Sequence, residues 1–139
     1  MHNPRGLPPR TAWTNLPSWK KFTQIRGASP ASPIPSDLFV FIDENENTIF
    51  DGQFGNVCNP PLPYYSPNQW WDMPANRHNQ GANLSFADGH VDHWKWQQPM
   101  ICDSFPQAAT ANLADYQRVQ NAMKQPMILP NGTIAYTWY

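Results

Sequence analysis

Two groups of residues in this chain of 139 could do chemistry, one acidic and one rich in histidine. Asp43, Glu44, Asn45, Glu46, Asn47 and Asp51 supply carboxylate and amide oxygens, the hard ligands that calcium prefers. Their spacing is not that of an EF-hand loop. Asp43, Glu44, Glu46 and Asp51 therefore form a calcium candidate, and a solvated acidic loop is the plainer account of the same residues. No cofactor is required by this pattern.

His78, His90 and His93, with Asp88 and Asp92, offer the imidazole and carboxylate ligands of zinc or a similar ion. Strand alternation would place His90 and Asp92 on one face and His93 on the other, with His78 ahead of both. Three ligands then converge only if the fold brings them together. The structural alternative has the His78 ring donating to a backbone carbonyl or to Asp88, fixing a hairpin against the loop before it.

A glycan-directed alternative draws a general acid and base from Asp43, Glu44, Glu46, Asp72 and Asp88, with Trp70, Trp71, Trp94 and Trp96 as exposed platforms for sugar rings. Nothing in the spacing selects a pair of carboxylates. Aromatic rings in a Pro-rich domain also serve as core, which is the competing use of the same tryptophans. A G-x-S-x-G elbow is absent from the sequence, as is a Gly-rich loop leading into a helix. If the chain were an enzyme, a glycoside hydrolase would fit best. Cys58 and Cys102 are the only cysteines; they lack CxxC spacing and leave a single disulfide open.

The elements that must position these residues follow from composition. Sixteen prolines, seven Trp, seven Phe and five Tyr predict a single loop-rich domain with an aromatic core. Nine Lys and Arg against ten Asp and Glu, scattered along the chain, give no footprint for nucleic acid. No run of about 20 apolar residues occurs, and the first 30 residues lack the apolar core of a signal peptide, which predicts a soluble chain that does not itself enter a membrane.

Along the chain, residues 1–36 read as an irregular Pro-rich arm and 37–107 as a β-rich core. Leu38-Phe39-Val40-Phe41-Ile42 is a continuous apolar run, predicting a buried strand. Residues 59–76 read as a covering loop. Asp88-Gly89, between Ala82–Ala87 and His90–Trp96, is a strong hairpin signal. A two-residue type I′ turn there would pair Ala87 with His90, Phe86 with Val91 and Leu84 with His93, and put Phe86 and Val91 on the core face. Residues 108–124 predict one helix, with Leu113, Tyr116, Val119 and Met123 at helical spacing and Pro126 beyond its end. Residues 125–139 predict a C-terminal strand after an Asn131-Gly132 turn. The fold class is α+β: a small antiparallel sheet around a tight hairpin, long loops and one helix.

One wider pattern stands out. His78 is followed by nine residues and then Asp88-Gly89, with Asn83, Phe86, His90 and Trp94 around the turn. Upstream lie a strand ending in Asp43-Glu44 and the segment Trp71-Asp72-Met73-Pro74-Ala75. Over about residues 34–96 this resembles the prepilin-type domain named for its His, nine-residue spacer and Asp-Gly, found in pseudopilin-like, type II secretion G-like proteins of Planctomycetes and Verrucomicrobia. The resemblance implies the globular head of a bacterial envelope or filament protein on the periplasmic or extracellular face. It implies assembly with other pilin-like subunits, or with a separate N-terminal helix, rather than catalysis. Family members begin with a prepilin leader and a long hydrophobic helix, so Met1 is expected to correspond to a position inside the globular part.

Overall fold

The computed structural model describes residues 19, 21–25, 32–50, 52–55, 68–128 and 134–137. Asp51, Cys58 and the Asn131-Gly132 turn lie outside them. Within them the fold is α+β, as composition and pattern predict. Strands β1 (Phe39–Ile42), β3 (Gly81–Phe86) and β4 (Val91–Lys95) form an antiparallel sheet in the order β1-β3-β4. Two short pairs accompany it: β2 (Gln69–Trp70) with β5 (Gln107–Ala108), and β6 (Gln125–Ile128) with β7 (Ile134–Thr137). α1 (Arg77–Gln80) is a single turn and α2 (Leu113–Asn121) a true helix, entered through a 3-10 turn at Thr110–Asn112.

Alternation along β3 sets the architecture. Ala82, Leu84 and Phe86 are buried on the inner face, whereas Asn83 is exposed and Ser85 half-buried on the outer. The inner face packs on Trp70, Met73, Ala75, Trp94, Trp96, Met100, Tyr116 and Val119. Trp70 and Trp96, each 1 % exposed, are large apolar bodies whose N–H groups need partners. Trp70 Nε1 donates to Asn112 Oδ1 at 2.8 Å and Trp96 Nε1 to the Ala75 carbonyl at 2.8 Å. Trp70 meets Tyr116 edge to face, with centroids 4.8 Å apart.

Several expectations are corrected. β1 is an edge strand with one face open: Leu38 is buried but Val40 and Phe41 are exposed, and the register shifts between Phe39 and Phe41. A continuous apolar run does not reveal whether both faces are covered. The hairpin register differs by one residue, with Ser85 opposite Val91, Leu84 opposite Asp92 and Asn83 opposite His93. Gly89 N donates to the Phe86 carbonyl and Phe86 N to the His90 carbonyl, both at 2.9 Å. Ala87, Asp88 and Gly89 thus form a three-residue loop in which only Gly89 has positive φ, +94°, consistent with a type I turn closed by a glycine bulge in place of type I′. One residue of slip reverses a face: Phe86 is in the core and Val91 is exposed.

The helix is shorter than 108–124, and Leu113 is exposed while Tyr116 and Val119 are fully buried. Asn112 takes the inward position because Trp70 Nε1 needs its amide oxygen. Residues 125–128 form a strand paired with 134–137, so the C-terminal part is a hairpin rather than one strand. Within the expected covering loop, Gln69–Trp70 is a strand, and residues 73–75 run beside 43–45 through Asn45 N to the Met73 carbonyl and Ala75 N to the Asp43 carbonyl, both 2.8 Å.

Candidate functional site

Asp88 and His90 close the hairpin tip. Asp88 Oδ1 accepts the His90 backbone N–H at 3.1 Å and lies 2.6 Å from His90 Nδ1. The backbone N–H of His90, then its ring, hold the Asp88 carboxyl below its ordinary pKa. The His90 ring stacks flat on Phe86, with centroids 4.3 Å apart and planes within 3°. Gly89 supplies the positive φ that the loop requires.

His78 does not reach Asp88. It sits in α1, where His78, Asn79 and Gln80 have φ of 54°, 62° and 61°, three successive non-glycine residues in the left-handed region. Each is strained by about 1–2 kcal/mol, so surrounding contacts must impose the turn. His93 Nε2 lies 2.7 Å from the His78 carbonyl oxygen. Trp96 N donates to the Gln80 carbonyl at 2.9 Å, and Gln80 Nε2 returns a bond to the Trp96 carbonyl at 3.0 Å. The His78 ring points toward Asp43, with Nε2 3.7 Å from Oδ2, too long for a hydrogen bond. The partner anticipated as Asp88 is therefore Asp43, at ion-pair distance.

The carboxylates are dispersed among separate structural tasks. Asp43 Oδ2 accepts Asn83 N at 3.1 Å and Asn83 Nδ2 at 3.0 Å, tying the end of β1 to β3. Glu44 Oε1 accepts the Thr48 hydroxyl at 3.1 Å, and Glu46 pairs with Arg77 at 3.0 Å. Asp72 accepts the Gly55 backbone N–H. Among the described residues, no three His, Cys, Asp or Glu side chains are grouped to hold a metal ion. Asp51 of the calcium candidate and Cys58 of the disulfide question lie outside those residues.

The expected sugar platforms are placed differently. Trp70, Trp94 and Trp96 are buried and Trp71 is half-buried, so the first three serve the core and present no exposed face. Sequence reasoning missed Arg118 and Asp115. The Arg118 guanidinium carbon lies 3.8 Å from the Trp94 ring centroid, and Asp115 is fully buried beneath it on α2. A helix residue stacking on a strand residue 24 positions earlier leaves no local signal. Only the departure of Asn112, Asp115 and Gln120 from a clean apolar stripe hints at a polar seam.

The two faces of the sheet thus differ in chemistry. Outside, Phe41, Ser85 and Val91 form one row across all three strands, with Phe41 75 % and Val91 70 % exposed. Inside, next to α2, His90, Asp92, Trp94 and Arg118 line a groove. No helix among the described residues is long and apolar enough to cross a membrane. No protein-family model matches the chain, and no curated protein or solved structure shows significant similarity to it.

Proposed function

We propose that the chain is a structural module, the globular head of a pseudopilin-like protein of the bacterial envelope, working through assembly and surface contact. The observation that carries this proposal is the outer row Phe41-Ser85-Val91. Two large apolar side chains stand exposed on a regular sheet face, with exposed Val40 beside them on the edge strand. Apolar surface grouped in this way on a soluble domain marks a contact site. The pattern from His78 to Asp88-Gly89 adds the family resemblance, and its residues serve conformation: a strained turn at His78–Gln80, and at the hairpin tip a glycine bulge with a carboxylate that accepts the His90 backbone N–H. Its partners would be other pilin-like subunits or a separate N-terminal helix, on the periplasmic or extracellular face. Calcium bound at this loop would compete with the bonds that Asp43, Glu44 and Glu46 make to Asn83, Thr48 and Arg77.

The test is a photo-reactive phenylalanine analogue placed at Phe41 or Val91, with Lys95 as a control on the same face. Cross-linking of subunits from positions 41 and 91 well above that from 95 is expected. Equal yields at all three would show that the row makes no specific contact.

A further inference from the structure

The inner groove has a volume of about 390 Å³, at the lower end of the range for small-ligand pockets. It lies on the face opposite Phe41 and Val91, so it stands apart from the assembly surface. Ser32, Asp37, His90, Asp92, Trp94 and Arg118 supply much of its wall.

Arg118, an exposed residue of α2, supplies the groove's forked donor. Its guanidinium stacks on Trp94 at 3.8 Å, which fixes its plane and covers one side. Burial lowers its pKa, with Asp92 and Asp115 opposing that effect through their charge. Yet no carboxylate among the described residues lies within 4.0 Å of it, and none of its N–H groups donates a hydrogen bond to them. A flat guanidinium fork held on an aromatic ring suits one ligand group above others, a planar carboxylate held by two parallel bonds.

The rest of the wall selects the remainder of the ligand. Asp37 and Asp92 in the same groove can accept hydrogen bonds from hydroxyls, and Lys124 adds a second cation to its wall. Asp92 is held in place by the His93 backbone N–H at 2.9 Å and by Trp94 Nε1 at 3.2 Å. Phe86 and Trp94, with Pro33 and Ala122, give the groove an apolar side on which the C–H face of a sugar ring can lie. We propose that this groove binds a uronate unit of an acidic saccharide, its carboxylate on Arg118 and its hydroxyls on Asp37 and Asp92.

Calorimetric titration of the full chain with trigalacturonate and with the neutral galactose trimer tests this, with the Trp94 indole N–H followed by NMR. The acidic trimer should bind roughly tenfold or more tightly than the neutral one and shift the Trp94 signal. Arg118→Gln should abolish that preference, and Arg118→Lys, which keeps charge but not the planar fork, should fall between. Matching circular dichroism melts would establish that both variants fold. Equal binding of the neutral trimer, unchanged binding by Arg118→Gln, tighter binding of a short peptide through its C-terminal carboxylate, or no binding of the acidic trimer would each overturn the proposal.

Discussion

Asp115 on α2 accepts the backbone N–H of Gln97, with Oδ2 at 2.9 Å and Oδ1 at 3.2 Å, and so fastens the helix to the chain leaving β4. The same carboxylate accepts Gln98 N at 3.1 Å, and Asp115 is only 1 % exposed. Asp115→Ala would leave two part-buried donors unmatched, and it should lower stability by about 2–3 kcal/mol. Urea denaturation followed by Trp fluorescence measures this. A loss below about 0.5 kcal/mol, the usual size for an indifferent surface site, would mean that helix and sheet are held without it.

Two glycines of the hairpin should fail for different reasons. A Cβ at Gly81 would lie 2.6 Å from His93 Nε2 and meet the Trp94 carbonyl oxygen, so Gly81→Ala must displace backbone at a cost of about 2–3 kcal/mol. Gly89 has open space around it but φ of +94°, so Gly89→Ala should cost only about 1–2 kcal/mol of conformational strain. Thermal melts of the two variants should fall in that order.

The left-handed run at α1 can be probed without touching a contact. Asn79 is exposed, and a β-branched residue tolerates φ of 62° poorly. Asn79→Val should therefore destabilise by about 1–2 kcal/mol. A neutral result in denaturant titration would show that the segment has another conformation in solution.

Asp88 makes the hairpin sensitive to acid. Its pKa is lowered in the folded chain, first by the His90 backbone N–H. Its contribution is thus fully present above the ordinary aspartate range and is lost as pH falls through the depressed folded value. Carbon-detected NMR titration of the Asp88 carboxyl should give a midpoint below that of an unfolded aspartate, and Asp88→Asn should remove this part of the acid dependence.

Much of the fold was legible because local chemistry dictated it. Asp88-Gly89 marked the hairpin, the Pro-free stretch marked α2, and the apolar run at Leu38–Ile42 marked β1. What failed depended on long-range partners. The loop gained one residue because Phe86 N bonds to the His90 carbonyl, which sent Val91 outward. Asn112 displaced Leu113 from the core because Trp70 needed an acceptor. Trp94 and Trp96 looked like surface platforms because composition cannot say which tryptophans the helix covers. For the same reason Arg118 was invisible: its meaning comes from the ring beneath it.

The assembly proposal meets its most direct test in sedimentation velocity of the wild-type chain and of the double variant Phe41→Ser, Val91→Thr over a wide concentration range. Both substitutions lie on exposed positions and should change monomer stability by only about 0.5 kcal/mol each. The outer row predicts concentration-dependent association in the wild type and a monomer in the variant. Wild-type and variant chains that sediment identically at every concentration would contradict it.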